Sequence, residues 1–157
     1  MKRGMLTIGA ALSVGLIGAL FATSGGAQQQ GPNGTLQVVA LAKENRFSFV
    51  DNPPKQGMER PPSPGDVGVL RHKLRDTSGE RVGSARVVFT TTGRDRAIAY
   101  GVFKVGGDLI AIEGFADGPT PHTHAITGGT GAYNGAAGTL TVDGQRDRTI
   151  FTFGFSR

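Results

Sequence analysis

The sequence has no cysteine and no tryptophan, and only three histidines. Without cysteine there is no thiol nucleophile, no thiolate metal site, no thiol redox chemistry and no disulfide framework, so core packing and strand ladders alone must hold the fold. Acidic residues number 12 against 17 basic ones, and the net charge of +5 is too small and too scattered to suggest nucleic-acid binding. Beyond residue 27 no hydrophobic run approaches membrane-spanning length, and no segment carries apolar residues at helical spacing.

What is present divides unevenly. Lys2 and Arg3 precede an apolar run from Met5 to Ala22, and the small residues Thr23 to Ala27 lead into Gln28-Gln29-Gln30. A basic start, an apolar middle and small residues before a polar stretch form a secretory signal, expected to be cut after Ala27. The run is near the roughly 18-residue minimum for a span, so a retained anchor is the alternative. The expectation is a secreted or cell-surface protein without membrane contact after cleavage. Residues 28–44 then form an N-terminal segment and first strand, and residues 45–157 the main domain. At 157 residues the chain has room for one domain with a real core.

The remainder reads as strands cut by turns. Runs at Thr35 to Ala42, Arg46 to Val50, Val67 to Asp76, Arg81 to Thr92, Arg96 to Val105, Leu109 to Ala116, His122 to Thr127, Ala136 to Val142 and Thr149 to Phe155 are apolar-rich, β-branched or alternating. Gly, Asp and Pro clusters separate them, as in Gly106-Gly107-Asp108 and Asp143-Gly144. The stretch "DNPPKQGMERPPSPG", residues 51–65, has five prolines in fifteen positions; proline removes ladder donors, so it is a loop, and long enough to act as a lid at a barrel mouth. Eight or nine strands at this spacing indicate an all-β sandwich or a closed barrel.

"ITGGTGAYNGAAGTLTV", residues 126–142, carries five glycines in eleven positions, from Gly128 to Gly138. A dinucleotide loop of this look needs a helix behind it to receive the pyrophosphate. The segment that follows is a strand, and no Gly-Lys-Ser/Thr is present. The glycines are therefore conformational: they turn a strand.

The same run resembles the signature of the dirigent and allene oxide cyclase superfamily, here of a bacterial, secreted type. "PGDVGVLRHKLRD", "GGDLIAIEGFAD" and "TIFTFGF" resemble further segments of that family, and the likeness covers residues 45–157. It implies an eight-stranded antiparallel β-barrel around an apolar cavity, commonly assembled as dimers or trimers. It also implies a small apolar or phenolic ligand as partner, whose cyclisation or stereoselective coupling the cavity guides without a cofactor, as a cyclase or isomerase would. Chemistry of that kind rests on holding one conformer beside a group that accepts a proton or stabilises charge. The family's carboxylate ends the first barrel strand; in "FSFVDNPP" the matching residue is Asp51, which before Asn-Pro-Pro also reads as a turn starter. Where the cyclases carry Asn before Lys-Leu this chain has His72, and their cysteine has no counterpart, so the chain reads as a cousin of the cyclases.

Alternation nominates further residues. His72 shares a face with Leu70 and Leu74 and should point inward, as a general base or a hydrogen-bonded core residue. Glu113 is in phase with Leu109, Ala111 and Phe115 and could share the interior, where burial would raise its pKa; a hairpin partner or rim residue is the favoured reading. Asp51, His72 and Glu113 are the candidate catalytic groups, with Tyr100, Phe115 and Phe153 as candidate ligand contacts. His122 and His124, two apart in "PHTH", have the spacing of a cupin-type metal pair, with His72 as a conceivable third ligand. The downstream Glu of such sites is missing. A non-catalytic binding or structural barrel is the rival reading.

Overall fold

The computed structural model describes residues 32–52, 62–94, 96–117 and 120–156. The expected secretory signal and residues 53–61 of the proline-rich segment lie outside them. Nine strands appear: β1 (Gly34–Leu41), β2 (Arg46–Val50), β3 (Val67–Arg75), β4 (Arg81–Gly93), β5 (Arg96–Val105), β6 (Asp108–Phe115), β7 (His122–Gly129), β8 (Ala137–Gly144) and β9 (Arg148–Ser156). Every neighbouring pair is antiparallel, in the order β1-β9-β8-β7-β6-β5-β4-β3-β2.

The sheet closes through its first strand. β1 pairs with β9 from Gly34↔Phe155 to Leu41↔Arg148 and meets β3 at Val39↔Arg75. One 3₁₀ turn, Ala42–Glu44, then interrupts the chain, and β2 continues beside the first half of β3 from Arg46↔Arg71 to Val50↔Val67. β1 and β2 are two lengths of one stave, so the closed barrel has eight staves and no helix beyond single 3₁₀ turns among the described residues. The break places Glu44 against Arg75, whose guanidinium donates to both carboxylate oxygens at 2.8 and 3.3 Å. That pairing, led by the hydrogen bond, holds the Glu44 carboxyl below its ordinary value and pushes Arg75 up.

One end of the interior is a packed plug. Phe103 meets Phe153 edge-on at 5.1 Å and Phe151 at 5.0 Å, with Leu74, Ile110, Leu140 and Val38 fully buried around them. Each such aromatic pair adds about 0.5–1.5 kcal/mol beyond the area it removes from water. Small residues face inward beside these large ones because the barrel is narrow. Ala99 and Gly101 are buried on β5, and a methyl at Gly101 would come within 3.0 Å of Ile112 and 3.2 Å of Val87.

The glycine-rich run forms the β7–β8 connection, with a 3₁₀ turn at Gly131–Tyr133. The Asp108 carboxylate occupies its concave side, accepting from the Ala132 amide at 3.0 Å. A methyl at Gly131 would collide with that carboxylate, and the left-handed φ of +54° also demands glycine. Tyr133 stacks on Phe155 at 5.7 Å, fastening the turn to β9. The loop's amides serve the protein itself, that of Ala132 the Asp108 carboxylate and those of Thr130, Tyr133 and Asn134 backbone carbonyls.

Candidate functional site

At the end away from the plug the barrel opens into a cavity of about 210 Å³, with Leu70, Phe89, Leu140 and Val142 among its apolar walls and Phe103 and Phe151 as its floor. Phe47 and Phe49 of β2 pair with Leu70 and Gly68 and share their inner face; the Phe47 ring lies over Gly68, where a methyl would stand only 2.9 Å away. All three histidines of the chain line this one cavity. His72 comes from β3, His122 and His124 from β7. In a ring of eight staves β3 and β7 are four apart whichever way one counts, so His72 and His124 stand on opposite walls.

Each imidazole has a distinct setting. His72 is buried, its Nδ1 is 2.9 Å from the Asn45 side-chain oxygen, and its ring meets Phe151 edge-on at 5.3 Å. Burial pushes its pKa down from 6.5 to about 4, because the apolar surround penalises the charged ring. His124 is buried against Gly114, which leaves room for it only because glycine has no side chain. Its pKa is lowered by burial first and by neighbouring His122 second; the two rings are 6.3 Å apart. At neutral pH the lumen therefore holds His72 and His124 as uncharged donor–acceptor groups on apolar walls.

The other nominated residues lie elsewhere. Phe153 is fully buried in the plug and is not among the cavity-lining residues. Asp51 follows β2 and approaches Asp66, whose carboxylate accepts from the Asn52 amide at 2.8 Å, the Ser63 amide at 2.6 Å and the Ser63 hydroxyl at 3.2 Å. Those bonds, that of Asn52 foremost, hold the buried Asp66 carboxyl below its ordinary value. Asp66 thus ties together the two described ends of the proline-rich segment.

Of the two placements open to Glu113, the interior one is not found: it is a hairpin partner that points outward, as do Tyr100 and Phe115, which are 48% and 65% exposed. Tyr100 and Glu113 are cross-strand partners and help line an open depression of about 690 Å³ on the outer wall, together with Val88, Val102 and Arg86. The phase relation read from the sequence is right and its sense reversed, because β5 and β6 are apolar on both faces and the narrow interior takes the smaller set. Asn45 escaped the sequence reading altogether. Its contact with His72 spans 27 residues and depends on where β2 registers against β3. The same-face pairing of His122 and His124 was legible from their spacing. Among the described residues, however, no group of three or more His, Asp or Glu is arranged to hold a metal ion.

No family model and no curated protein matches the sequence. Solved structures do. A pyocyanin demethylase superposes with a TM-score of 0.64 at 23% identity, over 78% of this chain and 99% of its own. A pterocarpan synthase dirigent protein gives 0.59 at 18% identity, over 82% and 99%. The fold of this chain is the barrel fold of that dirigent protein. An exo-specific intermolecular Diels-Alderase follows with 0.51 at 16% identity, over 78% and 98%. Nearly the whole of each of these chains is the dirigent-type barrel, and at such identities the likeness is one of fold.

Proposed function

We propose that this chain is a small-molecule-binding barrel whose lumen takes one small apolar or phenolic molecule and guides its cyclisation or coupling. The observation that carries the reading is the convergence of all three histidines on one apolar cavity inside a closed barrel. Two or more acid–base groups facing a largely apolar lumen suit chemistry driven by orientation and proton relay. Barrels with this fold include a demethylase, a pterocarpan synthase and a Diels-Alderase, which supports a lumen that handles ring systems. In this reading His72 is the general base, kept neutral by burial and oriented by Asn45, and the N-terminal signal exports the protein. Tyr100, Val102 and Phe115 on the outer wall are the surface through which copies would assemble as dimers or trimers.

A second reading, carriage without chemistry, is favoured by one specific observation: no carboxylate is among the described residues lining the cavity. Native mass spectrometry of the protein from its own host, followed by denaturing extraction, tests both. A stoichiometric apolar molecule supports the lumen as a ligand site, and its turnover by wild type but not by His72→Gln supports chemistry. An empty protein that binds no small aromatic molecule refutes both readings.

A further inference from the structure

The two imidazoles on opposite walls specify more about the ligand than its size. The Asn45 side-chain oxygen only accepts, so the proton of the neutral His72 ring is on Nδ1 and Nε2 keeps a lone pair. His124 is set the other way. Its Nδ1 is sealed from solvent with no hydrogen-bond partner among the described residues and lies against Gly114. A buried N–H with nothing to accept it is rarer in proteins than an under-used lone pair. Nδ1 of His124 therefore carries the lone pair, and Nε2 carries the proton. Neither Nε2 is bonded to another described residue, and neither is sealed off as His124 Nδ1 is. Of the two opposed rings, His72 thus presents an acceptor on the β3 wall and His124 a donor on the β7 wall, with the His122 ring and the Thr120 and Thr149 hydroxyls also lining the cavity.

We infer that the lumen reads a hydroxyl with His72 and a carbonyl oxygen with His124, so that its ligand is a neutral one- or two-ring molecule carrying both groups, of the hydroxyaryl-ketone kind. Size agrees: an apolar cavity of about 150 Å³ accepts benzene, and this one is about 210 Å³. A ligand lacking either group leaves one imidazole desolvated and unpaired, and affinity falls on the order of tenfold for each. The inference rests on the lumen being the ligand site proposed above.

The test is calorimetric titration of the purified protein with 3- and 4-hydroxyacetophenone, their O-methyl ethers, and 3- and 4-ethylphenol. At least one hydroxyacetophenone isomer should bind about tenfold more tightly than its ether and than its ethylphenol counterpart. His72→Phe should erase the preference over the ether and keep that over the ethylphenol; His124→Phe should do the reverse. A second measurement needs no variant: imidazole ¹⁵N shifts of the ligand-free wild type should give His72 protonated on Nδ1 and His124 on Nε2. Equal affinity for the three compound classes, or the opposite tautomers, overturns the inference while leaving the lumen as a ligand site. Failure of all six compounds to bind overturns both.

Discussion

Folding pushes the His72 pKa from 6.5 to about 4, which makes a measurable claim on stability. The perturbation is His72→Gln, which keeps a side-chain N–H to offer Asn45 and removes the titration. Below pH 6.5 the unfolded chain takes up a proton that the folded barrel refuses until about pH 4. Stability is therefore full above pH 6.5, falls as pH drops, and levels off below about pH 4. At about 1.4 kcal/mol per pKa unit the whole effect is about 3 kcal/mol, of which about 2 kcal/mol has been lost by pH 5. The carboxylates with lowered pKa values, Asp66, Asp76 and Glu44, act in a more acidic window, because their ordinary values are 3.8, 3.8 and 4.5. His124 shifts in the same direction as His72 and leaves a residual slope in the variant. The assay is urea unfolding followed by far-UV circular dichroism at pH 7.5 and 5.0, since the chain has no tryptophan to report by fluorescence. Wild type should lose about 2 kcal/mol more between the two pH values than His72→Gln. Equal losses would refute the argument that burial keeps this imidazole neutral.

Other expectations follow from the packing. Phe103→Ala empties the centre of the aromatic plug and should cost about 3–5 kcal/mol in the same unfolding assay. Gly138→Ala sets a methyl at φ +133° against the Gly154 carbonyl, whereas Gly107→Ala at φ +106° meets nothing. The second should cost only backbone strain, about 1–3 kcal/mol, and the first should lower the melting temperature clearly more; equal losses would contradict the described β8–β9 approach. Asp66→Asn should lower the melting temperature at pH 7 and flatten its fall below pH 4, because a carboxylate held low contributes stability above its ordinary pKa and loses it on acidification. Glu113→Gln and Tyr100→Phe should leave hydroxyacetophenone affinity within about twofold of wild type, since both side chains face outward; a larger loss would move the site to the outer wall.

The nine strands were legible because Gly, Pro and Asp punctuate nearly every boundary; β4, expected at Arg81 to Thr92, ends at Gly93, and β8, expected from Ala136 to Val142, runs Ala137–Gly144. The inward sense of His72 was legible too, because charged Arg71 and Lys73 mark the opposite face of β3. On β5 and β6 that marker is weak: Ile98, Tyr100 and Val102 compete with Ala99, Gly101 and Phe103, and hydrophobicity alone points the wrong way. The union of β1 and β2 into one stave rests on the Val39↔Arg75 contact, which joins residues that no local pattern links. Much of the candidate site, Asn45 above all, is of this non-local kind.

Closure through the first stave also governs when the barrel can form. From β3 to β9 every strand pairs with the one just before it, so hairpins can be laid down in order as the chain becomes available. β1 instead waits for β9, more than a hundred residues later, and its other barrel contact is the single pairing with β3. Loop-closure entropy of that span must be met before the last ladder gives anything back, which makes closing the ring the slow step. Until Phe153 and Phe155 arrive opposite Leu36 and Gly34, the lumen is an open trough with its apolar floor exposed. The enclosed cavity and the completed fold come into being in the same event.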